Sequence, residues 1–136
     1  MAGRSEARRF ALQMLYLLDQ NPEADQDRVQ AALRKEFTEP PLRDFTWSLI
    51  SGVLAARDEL DEVLRNTATN WRLERMAPTD RNVLRMGLYE MTKLGTPAAV
   101  VIDESIEIAR EFGTENSSSF VNGILDKLIP ASPVVE

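Results

Sequence analysis

Two residue types are missing from this 136-residue chain, which has no cysteine and no histidine. Without cysteine there is no disulfide, no thiolate nucleophile and no Cys-ligated zinc, a composition that fits a reducing compartment. The loss of histidine reaches further. It removes the side chain that titrates near neutral pH, the base of a nucleophilic triad and the usual imidazole metal ligand. Long apolar runs are missing too: Leu15 to Leu18 and Ala98 to Ile102 fall far short of the roughly 20 residues that span a bilayer. The opening MAGRSEARRFALQ starts basic but has no uninterrupted apolar core and no small-residue cleavage site, so it does not read as a signal peptide. Neither G-x-G-x-x-G nor G-x-x-x-x-G-K-[ST] occurs, which excludes phosphate loops of those two types. No stretch shows the two-residue alternation of a half-buried strand, and no internal repeat is visible.

What is present is the composition of one soluble globular domain, 43% hydrophobic and 28% charged, long enough to bury about two-thirds of its unfolded surface without a staple. A net charge of −6 argues against coating nucleic acid by bulk electrostatics, so any RNA contact must be a local basic patch. One such patch exists. In the first sixteen residues Arg4, Arg8 and Arg9 stand against the single carboxylate of Glu6.

Helical periodicity runs the length of the chain. Ala7, Ala11, Met14 and Leu18 recur at helical spacing, with Phe10 and Leu15 widening the stripe, so a helix is expected from about Ser5 to Asp19, stopped by Asn21-Pro22. Val29, Ala32, Leu33 and Phe37 predict a second over about 25–37 with Asp25 as its N-cap, ended by Pro40-Pro41. From Leu42 to Leu64 one apolar face persists, as one long helix or two nearly collinear ones jointed at Gly52 or Arg57-Asp58. Pro78 opens the next helix, whose stripe is Val83, Leu84, Gly87, Leu88 and Met91, and Gly95 caps it. A helix over about 98–112 follows, capped by Gly113, with Val101, Ile102, Ile106, Ala109 and Phe112 inward and Asp103, Glu104, Glu107 and Glu111 outward. The last begins near Ser117, buries Phe120, Val121, Ile124, Leu125 and Leu128, and ends at Pro130, leaving a loose tail at 131–136. The fold class is therefore all-α, with six to seven helices.

Three stretches carry a resemblance: RRFALQMLY at 8–16, DRNVLRMGLYE at 80–90, and IDESIEIAREFG at 102–113 followed by FVNGILDKL at 120–128. In this order and spacing they resemble the NusB family along nearly the whole chain. FVNGILDKL is the most specific, because helical periodicity does not dictate Phe, Asn and Gly at those offsets. The resemblance implies a single NusB-like domain of two packed helical subdomains, about 1–70 and 71–130. It implies a cytoplasmic, non-enzymatic factor without cofactors that binds boxA RNA of ribosomal RNA leader transcripts, pairs with NusE of the small ribosomal subunit and joins the antitermination complex of RNA polymerase.

The same resemblance implies an RNA-binding set of Arg4, Arg8, Arg9 and Gln13 on the first helix and Asn116, Ser117, Ser119, Phe120, Asn122 and Lys127 at and within the last. Arginine offers forked donors to phosphate and a flat cation for unpaired bases, although the same residues could form a solvated helix face. Phe120 could stack on a base or be buried beside Val121 and Ile124, and Asn122 in an otherwise apolar helix needs a partner. Tyr16, Asp80, Arg81, Arg85 and Glu90 are implied on the NusE-facing side. Asp80 could instead serve the first turn of its helix, and Arg85 could pair with Glu90 or Glu104. Trp71 reads as packing between the subdomains rather than as a stacking residue. The carboxylates Asp58, Asp61, Glu62, Glu104, Glu107 and Glu111 have helical spacing, but bundle di-metal sites add Glu-x-x-His motifs that this chain lacks. With only about three phosphates neutralised, the salt slope on a single strand would be about −2, so a partner is expected to complete the RNA surface. The alternative reading is a helical protein-binding module or a homodimer that masks the arginine face, without direct RNA binding; a small-molecule enzyme ranks below both.

Overall fold

A computed structural model describes residues 3–129. Among them are seven α-helices, one short 3-10 turn and no strand. The expected end at Pro130 and loose tail at 131–136 lie outside the described residues. The chain divides into two compact units, Met1–Ala55 and Ala56–Glu136.

The first unit holds α1 (Arg4–Gln20), α2 (Gln26–Glu36) and α3 (Pro40–Ala55). Ala7, Ala11, Leu12, Leu15 and Leu18 of α1 are buried, and α3 packs against both α1 and α2. The Asp25 carboxylate caps α2 by accepting from Asp27 N at 2.9 Å. The prolines at 40 and 41 do more than end α2: they supply the first turn of α3, where a missing N–H costs nothing. Phe10 and Phe37 meet edge to face, centroids 5.6 Å apart.

The second unit holds α4 (Arg57–Thr67), the 3-10 turn Leu73–Arg75, α5 (Pro78–Thr92), α6 (Ala98–Phe112) and α7 (Ser117–Leu128). The apolar run that began at Leu42 is thus two helices, broken at Ala56 immediately before Arg57-Asp58, while Gly52 lies within α3. Helix α5 is the centre of this unit, with ten of its fifteen residues buried and α4, α6 and α7 packed on it. Gly87 makes that packing close: a Cβ there would lie 3.2 Å from Ser105 Oγ and 3.3 Å from Leu125 Cδ2. This explains a difference from expectation in α6, where Ser105 and Ile108 are buried with Val101 and Ala109, while Ile102, Ile106 and Phe112 are only half-buried. The small hydroxyl side chain fits where the glycine admits it. Across α5, Arg85 donates to both oxygens of Asp61 on α4, at 2.7 and 3.0 Å, and to Asn82 Oδ1 at 3.1 Å. Both ends of this ion pair are buried, with side chains 4% and 8% exposed.

Candidate nucleic-acid interface

The candidate cations begin at the N-terminus of α1. There Glu6 does not simply interrupt the arginines: its carboxylate accepts from Gly3 N at 2.8 Å, tying down one of the free donors of the first turn. The Gly3 N–H, then the carboxylate's own backbone N–H, holds Glu6 below the usual glutamate range. Arg4 and Arg8, one turn apart, share a face that looks onto α3. Their guanidinium carbons stand 4.3 and 5.4 Å from the centroid of Phe45. Phe45, expected only as part of an apolar stripe, therefore sets the position of both arginines. Arg4 remains exposed, but Arg8 is only 4% exposed. Its placement corrects the expectation of a solvent-facing cation at that position. Arg9, Gln13 and Tyr16 run at helical spacing along a different face, where Arg9 is half-buried and the other two are exposed.

At the other candidate element, Gly113 and Ser117 shape the entry to α7. Ser117 Oγ accepts from Thr114 N at 2.9 Å, and a Cβ on Gly113 would lie 2.5 Å from Ser117 Cβ and 2.7 Å from Ala109 O. Ser117 is thus buried and committed to the turn, which removes it from a list of surface contacts. Asn116, Ser119, Asn122 and Lys127 are exposed along α7. Exposure resolves the question at Asn122, whose amide needs no protein partner because water reaches it. Phe120 is half-buried and contributes to a cleft of about 990 Å3 lined by Asn70, Trp71, Arg72, Arg75, Asn116 and Ser119, among others. The Trp71 and Phe120 rings meet at 5.1 Å and 78°. Trp71 is 58% exposed, so it is a surface residue and not the buried packing element that its size suggested.

The five residues implied on the partner side separate by burial. Tyr16 is exposed, as is its chain neighbour Leu17; Leu17, without Tyr16, lines a groove of about 580 Å3 between α1 and α2 with Met14, Val29 and Ala32 and the polar Asn21, Glu23, Asp25 and Arg28. Arg81 is half-buried and reaches the carbonyls of Glu74 and Met76 at 3.4 Å. Asp80, Arg85 and Glu90 are buried. Asp80 sits in the first turn of α5, where the helix dipole favours a carboxylate, and its Oδ1 has no hydrogen-bond partner. Arg85 does pair within the fold, but with Asp61 rather than with Glu90 or Glu104. No group of three or more potential metal ligands occurs among the described residues, and no described helix is long and apolar enough to cross a membrane.

The profile of the NusB family matches residues 5–130. The chain belongs to the NusB family. It is 44% identical over 128 residues to the transcription antitermination protein NusB of Solibacter usitatus, covering 93% of this chain and 88% of that one. Its fold is similar to that of T. maritima NusB, with a TM-score of 0.90 at 30% identity over 97% and 94% of the two chains. It is also similar in fold to a chain from an assembly of the antitermination factors NusB and NusE with double-stranded RNA, with a TM-score of 0.84 at 22% identity over 94% and 96%. Within this NusB-family chain, sequence reasoning left Asn70, Arg72 and Arg75 unassigned. The signal was an aromatic set among cations and amides in the segment NWRLER at 70–75.

Proposed function

We propose that this chain is a cytoplasmic transcription antitermination factor that binds boxA RNA of ribosomal RNA leader transcripts jointly with NusE, within the antitermination complex of RNA polymerase, and that it works by binding alone, without a catalytic step. The observation that carries this reading is membership of the NusB family across residues 5–130. The relatives named as antitermination proteins and the neighbour assembled with NusE and RNA support it.

The chemistry of the surface suits the role. Arg4 and Arg9 supply cations to phosphate and Gln13 an amide to base edges, while Asn116, Ser119, Asn122 and Lys127 supply polar groups along α7. Arg8 acts beneath them, as a support against Phe45. Tyr16, exposed next to the exposed Leu17, is the part of the implied partner set best suited to anchor NusE, since exposed tyrosines are favoured interface anchors. Few cations contribute, so the partner's surface must be added before affinity becomes useful.

Gel filtration of the chain with NusE and a boxA RNA tests this reading against a protein-only module. Co-elution of all three, with the binary mixture of chain and RNA eluting largely apart, is the expected result. A chain that elutes as a dimer and stays so with RNA and NusE present would defeat it.

A further inference from the structure

We infer that the cleft beside Trp71 holds one nucleotide of the unpaired RNA strand, its base stacked on the indole and its phosphate held by Arg72 and Arg75. This rests on the RNA-binding reading above and adds to it three residues that no comparison assigns.

Four observations carry it. Among the described residues Trp71 is the most exposed of the large hydrophobic side chains, and its edge-to-face contact with Phe120 leaves ring surface open toward the cleft. Arg72 and Arg75 are exposed, line the same cleft and, among the described residues, make no ion pair or side-chain hydrogen bond. Other arginines of this unit are engaged: Arg65 with Glu74, Arg85 with Asp61, Arg81 with backbone carbonyls. In a chain of net charge −6, two guanidinium groups without an ion pair, one of them within Coulombic reach of Glu74, stand beside an exposed indole and concentrate positive charge where an anion with a flat apolar part can bind. Asn70 and Asn116, both exposed at the same cleft, offer amides to base edges. Asp80, buried with its Oδ1 unpartnered, lines the same cleft and offsets part of the attraction of the two guanidinium groups for a phosphate. An unpaired nucleotide satisfies all four features, whereas an apolar peptide would leave both cations without partners.

The test uses the full chain with tryptophan-free NusE and a boxA RNA. Trp47→Phe leaves Trp71 as the sole tryptophan, so emission reports the cleft. RNA is expected to quench that emission, and NusE alone to leave it nearly unchanged. Trp71→Ala is expected to weaken RNA binding by about 5- to 150-fold, the range for loss of one base stack, with Trp71→Phe recovering most of it. Arg72→Gln with Arg75→Gln is expected to flatten the salt slope by about 0.7, the value for one phosphate on a single strand. If RNA still binds tightly to the Trp71→Ala complex and emission does not respond, the cleft is not a nucleotide site while the boxA reading stands. Emission that responds to NusE and not to RNA assigns the cleft to protein docking and overturns the inference. Failure of the unsubstituted complex to bind RNA overturns both.

Discussion

Arg85→Met separates structural from interfacial roles at a position whose surrounding segment resembles a partner-binding one. The substitution keeps an unbranched side chain of related length but removes the donors that hold both oxygens of Asp61. Asp61 is 5% exposed, and its remaining arginine neighbour, Arg57, stands at 3.8 Å with its side chain 44% exposed. Removing one member of a buried pair leaves a carboxylate with only the long contact to half-exposed Arg57 in place of two direct hydrogen bonds, at a cost of about 3–5 kcal/mol. For a domain of this size that is a sizeable part of a total stability of about 5–15 kcal/mol, and it should lower the melting temperature by roughly 10–15 °C. Circular dichroism during heating and urea titration measures both quantities. Because the cost lies in the orphaned carboxylate, Asp61→Leu added to Arg85→Met should recover much of the loss, with a coupling of several kcal/mol in the double-mutant cycle. An Arg85→Met protein that melts with the parent yet fails to dock NusE would refute this reasoning and return Arg85 to the interface.

Gly113→Ala should destabilise the chain by about 1–3 kcal/mol, since the new methyl meets both the backbone and the Cβ of the turn that starts α7; urea unfolding checks it. Arg4→Gln with Arg9→Gln should weaken RNA binding with little change in melting temperature, while Arg8→Ala should lower both, because Arg8 is packed against Phe45; parallel thermal and RNA titrations distinguish the two outcomes. Glu6 and Glu74 are both held below the ordinary carboxylate value of 4.5, chiefly by backbone N–H donors and, for Glu74, also by Arg65. The stability they contribute is present above the unfolded value and is lost as pH falls through the depressed folded values. Glu6→Gln and Glu74→Gln should therefore flatten the acid limb of a stability-against-pH curve below about pH 4.5.

Much of the helical pattern was legible because tertiary packing follows the 3.6-residue period: the stripes of α1, α5 and α7 predict buried positions such as Leu15, Val83 and Ile124. Local chemistry marked the ends as well, at Asp25, Pro78 and the positive-φ Gly95. What periodicity could not reveal was which polar side chains would be inside. Asp61 and Arg85 are separated by 24 residues, and the sequence offered Arg85 the nearer Glu90 and Glu104 as partners rather than Asp61. Ser105 is buried because Gly87, on another helix, leaves room for it. The candidate site was legible to the same degree. The arginines of α1 and the polar end of α7 stand out in the sequence, but the burial of Arg8 depends on Phe45, 37 positions later. Trp71 looked like core because large aromatics usually are; its exposure follows from the irregular segment it occupies and from Phe120 sheltering only part of it.

The most direct test titrates a short boxA RNA and a scrambled control into the chain at two salt concentrations, with and without NusE. The account predicts weak binding with a shallow salt dependence by the chain alone and, with NusE, tighter binding that favours boxA over the scrambled strand. Equal affinity for both strands in the presence of NusE, or no gain on adding NusE, would contradict it.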